Sequence, residues 1–296
     1  MSSPTSAAKG ARRYRGRFAP SPSGPLHMGS LLSALASYLD ARSHNGEWLL
    51  RIEDLDPPRE VAGADDLIKR TLKAHGLVWD ETVVYQSTRL AAYIAVLDRL
   101  NTSGDLFACS CTRTMLGPNG ACDARCTPNP SEATSTRIQL KTTAKFVDHF
   151  WGERCLPAGP VDQILRRKDG LYAYALAVVV DDADQQITHV VRGEDLEAQT
   201  PAQEFLHRKL GKEPPSYGHV PLIYNEFGKK LSKQTGAPPV DDSRALENLR
   251  ALLELLNQPP PESELASVEA VLAAAVSRWE PSKMPSASTH LRLRNC

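Results

Sequence analysis

Strand-like and helical periodicities alternate along this 296-residue chain, and that alternation restricts the fold more than any other feature. Runs of β-prone apolar residues predict strands at Tyr14–Ala19, Trp48–Ile52, Ile138–Leu140, Tyr174–Val180 and Ile187–Val191. Between the first two, Leu31, Leu32, Leu35, Tyr38 and Leu39 share one face of a helix over Ser30–Arg42, which Gly46 closes. Ala91, Ile94, Leu97 and Leu100 do the same over Leu90–Leu100, ended by Gly104. Strand, helix and strand in succession imply a parallel sheet with crossover helices, an α/β fold.

The alternation stops near Cys109. From there to Pro130 the chain is rich in Cys, Thr, Gly, Asn and Pro, with almost no apolar periodicity. Such a stretch has no core of its own and needs a metal or a partner to hold it. The α/β pattern resumes at about Gln163 and runs to about Asp241, and Ser243–Asn257 and Glu264–Trp279 read as helices. The expected organisation is a disordered tail (1–13), the first half of a nucleotide-binding domain (14–108), an insertion (109–162), the second half (163–241), and a short helical C-terminal region with its tail (242–296).

Within the insertion, Cys109-x-Cys111 is followed after ten residues by Cys122-x-x-x-Cys126. Two close pairs of thiolates across a loop that Gly117, Pro118 and Gly120 let turn back supply the four soft ligands of a structural zinc site. Free thiols, or the remnant of such a site, are the alternative. Cys155 and Cys296 have no partner pattern. No run approaches the roughly 20 apolar residues needed to span a bilayer, and Met1–Arg13 lacks the apolar core of a secretory signal. The expectation is a cytoplasmic protein without a membrane partner, where clustered cysteines point to metal before disulfides. Formal net charge is zero, so a nucleic acid would be held by local basic clusters and not by a global field.

Four segments carry chemistry. Arg17–Ser30 (Arg-Phe-Ala-Pro-Ser-Pro-Ser-Gly-Pro-Leu-His-Met-Gly-Ser) joins the first strand to the first helix, at the edge where open α/β sheets bind ligands. Gly29 lets a nucleotide approach the backbone, the helix N-terminus offers N–H donors, and His27 can be aimed at phosphate oxygens. A rigid turn capped by Ser30 is the plainer reading. Gly228–Gln234 (Gly-Lys-Lys-Leu-Ser-Lys-Gln) is either a solvated basic loop or a mobile one that steadies a triphosphate in the transition state. Arg51–Arg59 (Arg-Ile-Glu-Asp-Leu-Asp-Pro-Pro-Arg) ends the second strand, and by itself is a charged loop. Asp169–Asp182 contains an apolar run read as a buried central strand, with Val190–Asp195 behind it.

Taken together, the first two segments resemble the HIGH and KMSKS signatures of class I aminoacyl-tRNA synthetases, in the right order and on the right sides of an insertion. Arg-Phe-Ala-Pro-Ser-Pro-Ser-Gly resembles the glutamyl branch in particular. Ser30 replaces the last His of HIGH and Gln234 the last Ser of KMSKS; both keep hydrogen-bonding capacity, and Lys230 and Lys233 are retained. Ala175 stands where relatives often carry Asn. The Pro-Pro-Arg and Lys-Leu-Ser-Lys-Gln details are similar to the truncated glutamyl-Q tRNA(Asp) synthetase family. With 62 residues from Thr235 to Cys296, the large anticodon-binding region of a full glutamyl-tRNA synthetase is not expected in this chain.

The resemblance implies a Rossmann-type class I synthetase catalytic domain that activates L-glutamate with ATP and Mg²⁺ and transfers it to queuosine in the anticodon of tRNA(Asp). It implies catalytic and ATP-binding roles for His27, Gly29, Ser30, Lys230 and Lys233, and glutamate-binding roles for Arg17, Ala19, Ser21, Glu53, Tyr174 and Arg192. It also supports zinc at Cys109, Cys111, Cys122 and Cys126, and a monomer is expected. The chemistry fits: two arginines can each grip a carboxylate bidentately while Glu53 pairs with the ammonium, an arrangement that disfavours neutral glutamine. The alternatives are a minimal enzyme charging the 3′ end of tRNA(Glu), and a non-catalytic RNA-binding paralogue. The latter would be expected to have lost His27, Gly29, Lys230 or Lys233.

Overall fold

The computed structural model describes residues 12–117, 120–122, 126–128, 131–141, 144–156, 162–225, 228, 230–231, 236–285 and 291–292. Strands β1 (Arg15–Phe18) and β2 (Glu47–Ile52) run parallel, with Arg15 opposite Glu47 and Phe18 opposite Leu50. Helix α1 (Met28–Ser43) crosses between them and buries Leu31, Leu32, Leu35 and Leu39. Its end divides two tasks expected of one glycine. Asn45 takes the left-handed turn at φ 52°, whereas Gly46 is required by close approach: a Cβ there would lie 2.7 Å from the Tyr14 Cβ and carbonyl oxygen.

After α2 (Ala64–Ala74), β3 (Val84–Tyr85) adds to β2 in parallel, and α3 (Leu90–Thr102) follows. The buried face of α3 is Tyr93, Leu97 and Leu100; Ala91 and Ile94, expected on it, face solvent, with Ile94 48% exposed. The Tyr93 hydroxyl donates to buried Asp181 at 2.7 Å, and Tyr93, Leu97 and Leu100 pack into the core around the segment Tyr174–Asp184.

Strands β4 (Leu106–Cys109), β5 (Ser135–Gln139) and β8 (Asp162–Arg166) form an antiparallel sheet that straddles the expected boundaries at 108/109 and 162/163. Between β5 and β8, the hairpin β6 (Lys145–Asp148) and β7 (Gly152–Cys155) leaves that sheet. It joins the second half of the nucleotide fold instead, where β6 lies parallel to β10 (Ser216–Val220) and β10 parallel to β9 (His189–Gly193). Thr188 N donates to Arg15 O at 2.9 Å, bringing the start of β9 beside β1. The spatial succession is therefore β3-β2-β1, then β9-β10-β6-β7. The chain leaves β1 to one side and continues from β9 to the other, so a crevice opens at their carboxyl ends.

One expected strand is a helix. Tyr174–Val180 begins α4 (Tyr174–Asp184), and every residue from Ala175 to Asp182 is buried. The helix is enclosed by α3, α5 (Thr200–Lys209) and β8, so no polar face interrupts it. A helix buried all round reads as the same unbroken apolar run as a central strand, and only its eleven-residue length separates the two.

The remaining elements are β11 (Ile223–Tyr224), which pairs with β12 (Leu291–Arg292), and helices α6 (Ala245–Leu255) and α7 (Val268–Ser277). Trp48, Leu35, Leu252 and Leu272 belong to one core under the first half-sheet; Tyr93, Ile138, Leu165, Leu176 and Leu206 belong to a second around α4. Among the described residues no helix is long and apolar enough to cross a membrane.

Candidate active site

A cavity of about 1260 Å³ lies at the carboxyl ends of β1 and β9. Ten of the residues expected at the site line it: Arg17, Ala19, Ser21, His27, Gly29, Ser30, Glu53, Tyr174, Arg192 and Lys230. Lys233 lies outside the described residues, as do Lys229, Ser232 and Gln234.

One end of the cavity is a buried charge network. Arg17 in β1 is 4% exposed and turns Nε and Nη2 toward Asp182 of α4, at 3.3 and 3.5 Å. Arg51 in β2 is fully buried and donates Nη2 to Asp182 Oδ1 at 2.7 Å and Nη1 to Gln185 at 2.6 Å. Although burial opposes it, the two guanidiniums hold the Asp182 carboxyl down to about 2. Asp181 is used elsewhere, accepting from Gln86 Nε2, Arg89 Nε and the Tyr93 hydroxyl.

Glu53 follows β2, anchored by its N–H on the Pro20 carbonyl at 3.0 Å. The residue as a whole is half-buried, but its Oε1 is sealed from solvent and has no hydrogen-bond partner. Burial pushes its carboxyl up to about 7, with Arg51 and Arg17 pulling the other way and Asp182 and Asp181 adding to the rise. An orphaned acceptor in that setting calls for a proton or a cation.

Arg192 in β9 is 4% exposed and already committed. Its Nε donates to His219 Nε2 at 3.2 Å, Nη1 to Gln203 at 2.6 Å and Tyr174 at 3.4 Å, and Nη2 to Thr200 at 2.8 Å and the Leu196 carbonyl at 3.1 Å. Five N–H groups thus meet five neutral acceptors. The bidentate grip expected of both arginines is not what this arrangement offers. Arg17 spends one edge on Asp182, and Arg192 can exchange only its longest bond, the one to Tyr174, for a ligand oxygen. Both remain fixed cations beside the cavity.

At the other end, α1 starts under His27, which is the N-cap in place of Ser30: His27 Nδ1 accepts from Ser30 N at 3.3 Å and Nε2 lies 3.0 Å from Ser30 Oγ. A Cβ on Gly29 would come within 3.1 Å of the His27 ring, so the glycine leaves that ring its room, and the Leu231 carbonyl of the second signature segment lies 3.6 Å from the same point. Lys230 bridges antiparallel to Tyr224 and pairs with Asp195 at 2.7 Å, in an ion pair that is 36% and 42% exposed.

Away from the cavity, the sulfurs of Cys109, Cys111, Cys122 and Cys126 lie within 4.8 Å of one another and could hold a metal ion. Zinc–sulfur bonds of about 2.3 Å in a tetrahedron separate the sulfurs by about 3.8 Å; Cys111 and Cys122 are 3.8 Å apart, and Cys122 and Cys126 sit closer, at 3.2 Å. Burial and the neighbouring thiols push Cys111 up to about 12, so four thiols this close do not all ionise without a cation between them. The donor set fits a soft four-coordinate ion. Asp162, paired with Arg137 at 3.0 Å, accepts from Cys122 N at 2.6 Å and fixes the second pair's backbone.

Sequence reading assigned no role to Asp182, Arg51, Gln203, Thr200 or His219, the residues that orient the arginines. The Asp181-Asp182 pair closing an apolar run is the one signal that pointed to them, since buried carboxylates require buried cations.

The family described as tRNA synthetases class I (E and Q), catalytic domain, matches residues 13–144 and 129–254. A protein of Shewanella amazonensis named glutamyl-Q tRNA(Asp) synthetase is 48% identical over 276 residues, covering 92% of this chain and 94% of that one. A Chromobacterium violaceum protein of the same name is 45% identical, covering 95% and 98%. Among solved structures, a glutamate tRNA ligase from Elizabethkingia meningosepticum in complex with its amino acid shares the fold with a TM-score of 0.74 at 23% identity, covering 96% of this chain and 67% of that one.

Proposed function

We infer the activity from one premise: the chain belongs to the glutamyl-Q tRNA(Asp) synthetase family of class I tRNA synthetases. It activates L-glutamate with ATP and passes it to a tRNA, and the acceptor is queuosine in the anticodon of tRNA(Asp). The observation that carries this reading is the orphaned Glu53 carboxylate in a cavity walled by Arg17 and Arg192, a setting suited to an ammonium flanked by carboxylates.

Glu53 receives the ammonium, Arg17 and Arg192 face the carboxylates, and Tyr174 supplies a phenol that burial keeps protonated. Ala19 and Ser21, on the β1–α1 turn, shape the floor. A glutamate carboxylate oxygen attacks the α-phosphorus of ATP, the bond to the pyrophosphate oxygen breaks, and glutamyl-adenylate forms. No protein nucleophile takes part, so catalysis is positioning and charge stabilisation. His27, the backbone at Gly29 and Ser30, and Lys230 face the phosphates, with Mg²⁺ accompanying ATP, and the signature assigns Lys233 a role in the same step. Lys230 exchanges Asp195 for phosphate as it does so. A hydroxyl of the modified base then attacks the adenylate carbonyl and releases AMP.

The four cysteines hold zinc as a structural ion that gives the insertion the anchor its composition lacks. Metal analysis should return one zinc per chain, lost when Cys109 and Cys111 are replaced by Ser; full zinc content in that variant would remove them as ligands. The acceptor is tested with labelled glutamate, ATP and three RNAs: tRNA(Asp) with queuosine, tRNA(Asp) without it, and tRNA(Glu). Label confined to the modified base is expected. Label on the 3′ end of tRNA(Glu) would make this a minimal charging enzyme.

A further inference from the structure

The strand ladder brings three buried polar residues from distant parts of the chain into one line. His219 lies opposite Arg192 across β10–β9, and Tyr217 lies opposite Asp148 across β10–β6. Asp148 is 2% exposed, His219 is fully buried and Arg192 is 4% exposed. The Asp148 Oδ2 sits 2.6 Å from His219 Nδ1, and His219 Nε2 sits 3.2 Å from Arg192 Nε. We propose that Asp148 is a positioning residue for Arg192, acting through the His219 tautomer protonated on Nδ1. The proposal rests on Arg192 serving the glutamate pocket.

The hydrogen-bond count allows one arrangement. Arg192 Nε and Nη2 are donors only. Nη2 donates to Thr200 Oγ1 at 2.8 Å, which leaves that hydroxyl's own proton for His219 Nε2 at 3.3 Å. Two donors therefore converge on Nε2, which must carry the lone pair, and the ring proton must sit on Nδ1 facing the Asp148 carboxylate. Protonating Nε2 would set an N–H against the guanidinium. Burial, helped by Arg192, lowers the His219 pKa against the Asp148 hydrogen bond, so the ring stays neutral.

Asp148 is held as firmly on its other side. Its Oδ1 accepts from Phe150 N at 2.8 Å and Trp151 N at 3.0 Å, the turn of the β6–β7 hairpin. Gly218 lets that turn close on β10, because a Cβ there would meet the Phe150 ring at 2.9 Å. The hairpin, supplied by the insertion, thus has a line to the amino-acid pocket. A purely structural Asp148 would cap the turn and hold the His219 backbone N–H, which donates to Oδ2 at 3.1 Å, and the tautomer of the ring separates that role from positioning.

In Asp148→Asn the side-chain oxygen keeps the Phe150 and Trp151 bonds, while its amide N–H₂ faces His219, where the backbone N–H loses the acceptor it has in Oδ2 at 3.1 Å and Nδ1 is forced to accept. The proton moves to Nε2 and Arg192 loses its seat. We expect the KM for glutamate to rise about tenfold or more, with a smaller loss in kcat. In ¹⁵N-imidazole NMR, the wild-type His219, assigned by its loss in His219→Phe, should show a pyrrole-type Nδ1 and a pyridine-type Nε2, reversed in Asp148→Asn. His219→Phe should raise the KM similarly, and the two substitutions together should do no more than either. A pyridine-type Nδ1 in the wild-type protein, or an unchanged KM in a folded Asp148→Asn with glutamate activation intact in the wild type, overturns the proposal. Failure of the wild-type protein to activate glutamate would instead strike the functional reading, and the tautomer measurement still decides this one.

Discussion

The two ends of the cavity are built on opposite principles. At the amino-acid end, Arg17, Arg51, Asp182 and Arg192 are each at most 4% exposed, and their donors and acceptors are matched by strands and helices on several sides. At the phosphate end, Lys230 and Asp195 form an open ion pair on a short bridge beside β11. A buried pair is costly to break because one charge is left without water or partner, whereas an exposed pair contributes roughly 0–1 kcal/mol and exchanges readily. The contrast matches the tasks. Glutamate must be told from its neutral isostere by a fixed field, while cations on a triphosphate are needed most as the α-phosphorus is attacked, so they gain from being free to move.

The largest effect should come from breaking the rigid end. Asp182→Asn leaves Arg17 buried without its carboxylate and Arg51 with only Asp181 at 4.0 Å, and urea unfolding should report a loss of ~3–5 kcal/mol; a loss below ~1 kcal/mol would mean the network is hydrated and not rigid. Next, Lys230→Ala should cut adenylate formation by ~10²–10³-fold while leaving the KM for glutamate within about twofold. Equal losses in both would erase the division between the ends.

A third, smaller effect is pH-dependent. Glu53 pairs with an ammonium only when ionised, and in the empty site its carboxyl titrates at about 7. The neutral form therefore dominates below pH 7, and the KM for glutamate should rise up to about tenfold per pH unit as pH falls below that value. Above it the KM should level off, and Glu53→Gln should abolish the dependence; a profile flat from pH 5 to 8 would place the ammonium elsewhere. The smallest effect belongs to Asp195→Ala, which removes only the exposed partner of Lys230 and should change unfolding free energy by less than about 1 kcal/mol.

How much of this was legible in the sequence follows the same division between local and distant. The β1–α1 turn was legible because Arg17, Ala19, Ser21, His27, Gly29 and Ser30 fall within one short segment, so one strand–helix junction delivers them all. The cysteine cluster was legible because its spacing is local on each side of one loop. Helix α4 was not, since burial on every side erases the polar residues that reveal a 3.6-residue period. Nor was the support of Arg192. His219 meets it through the β10–β9 register, with Asp148 behind His219 from β6, and Thr200 and Gln203 meet it from α5; no spacing rule encodes that meeting. The hairpin β6–β7 likewise looked like part of an insertion, because nothing local tells a strand which sheet it will join.

The most direct measurement of the glutamate-activating site is ATP–pyrophosphate exchange by the full chain in the presence of queuosine-containing tRNA(Asp), with glutamate, glutamine or no amino acid. Exchange driven by glutamate and not by glutamine is expected from a pocket with two fixed guanidiniums and one unpaired carboxylate. No exchange with glutamate, or equal exchange with both amino acids, would refute that pocket.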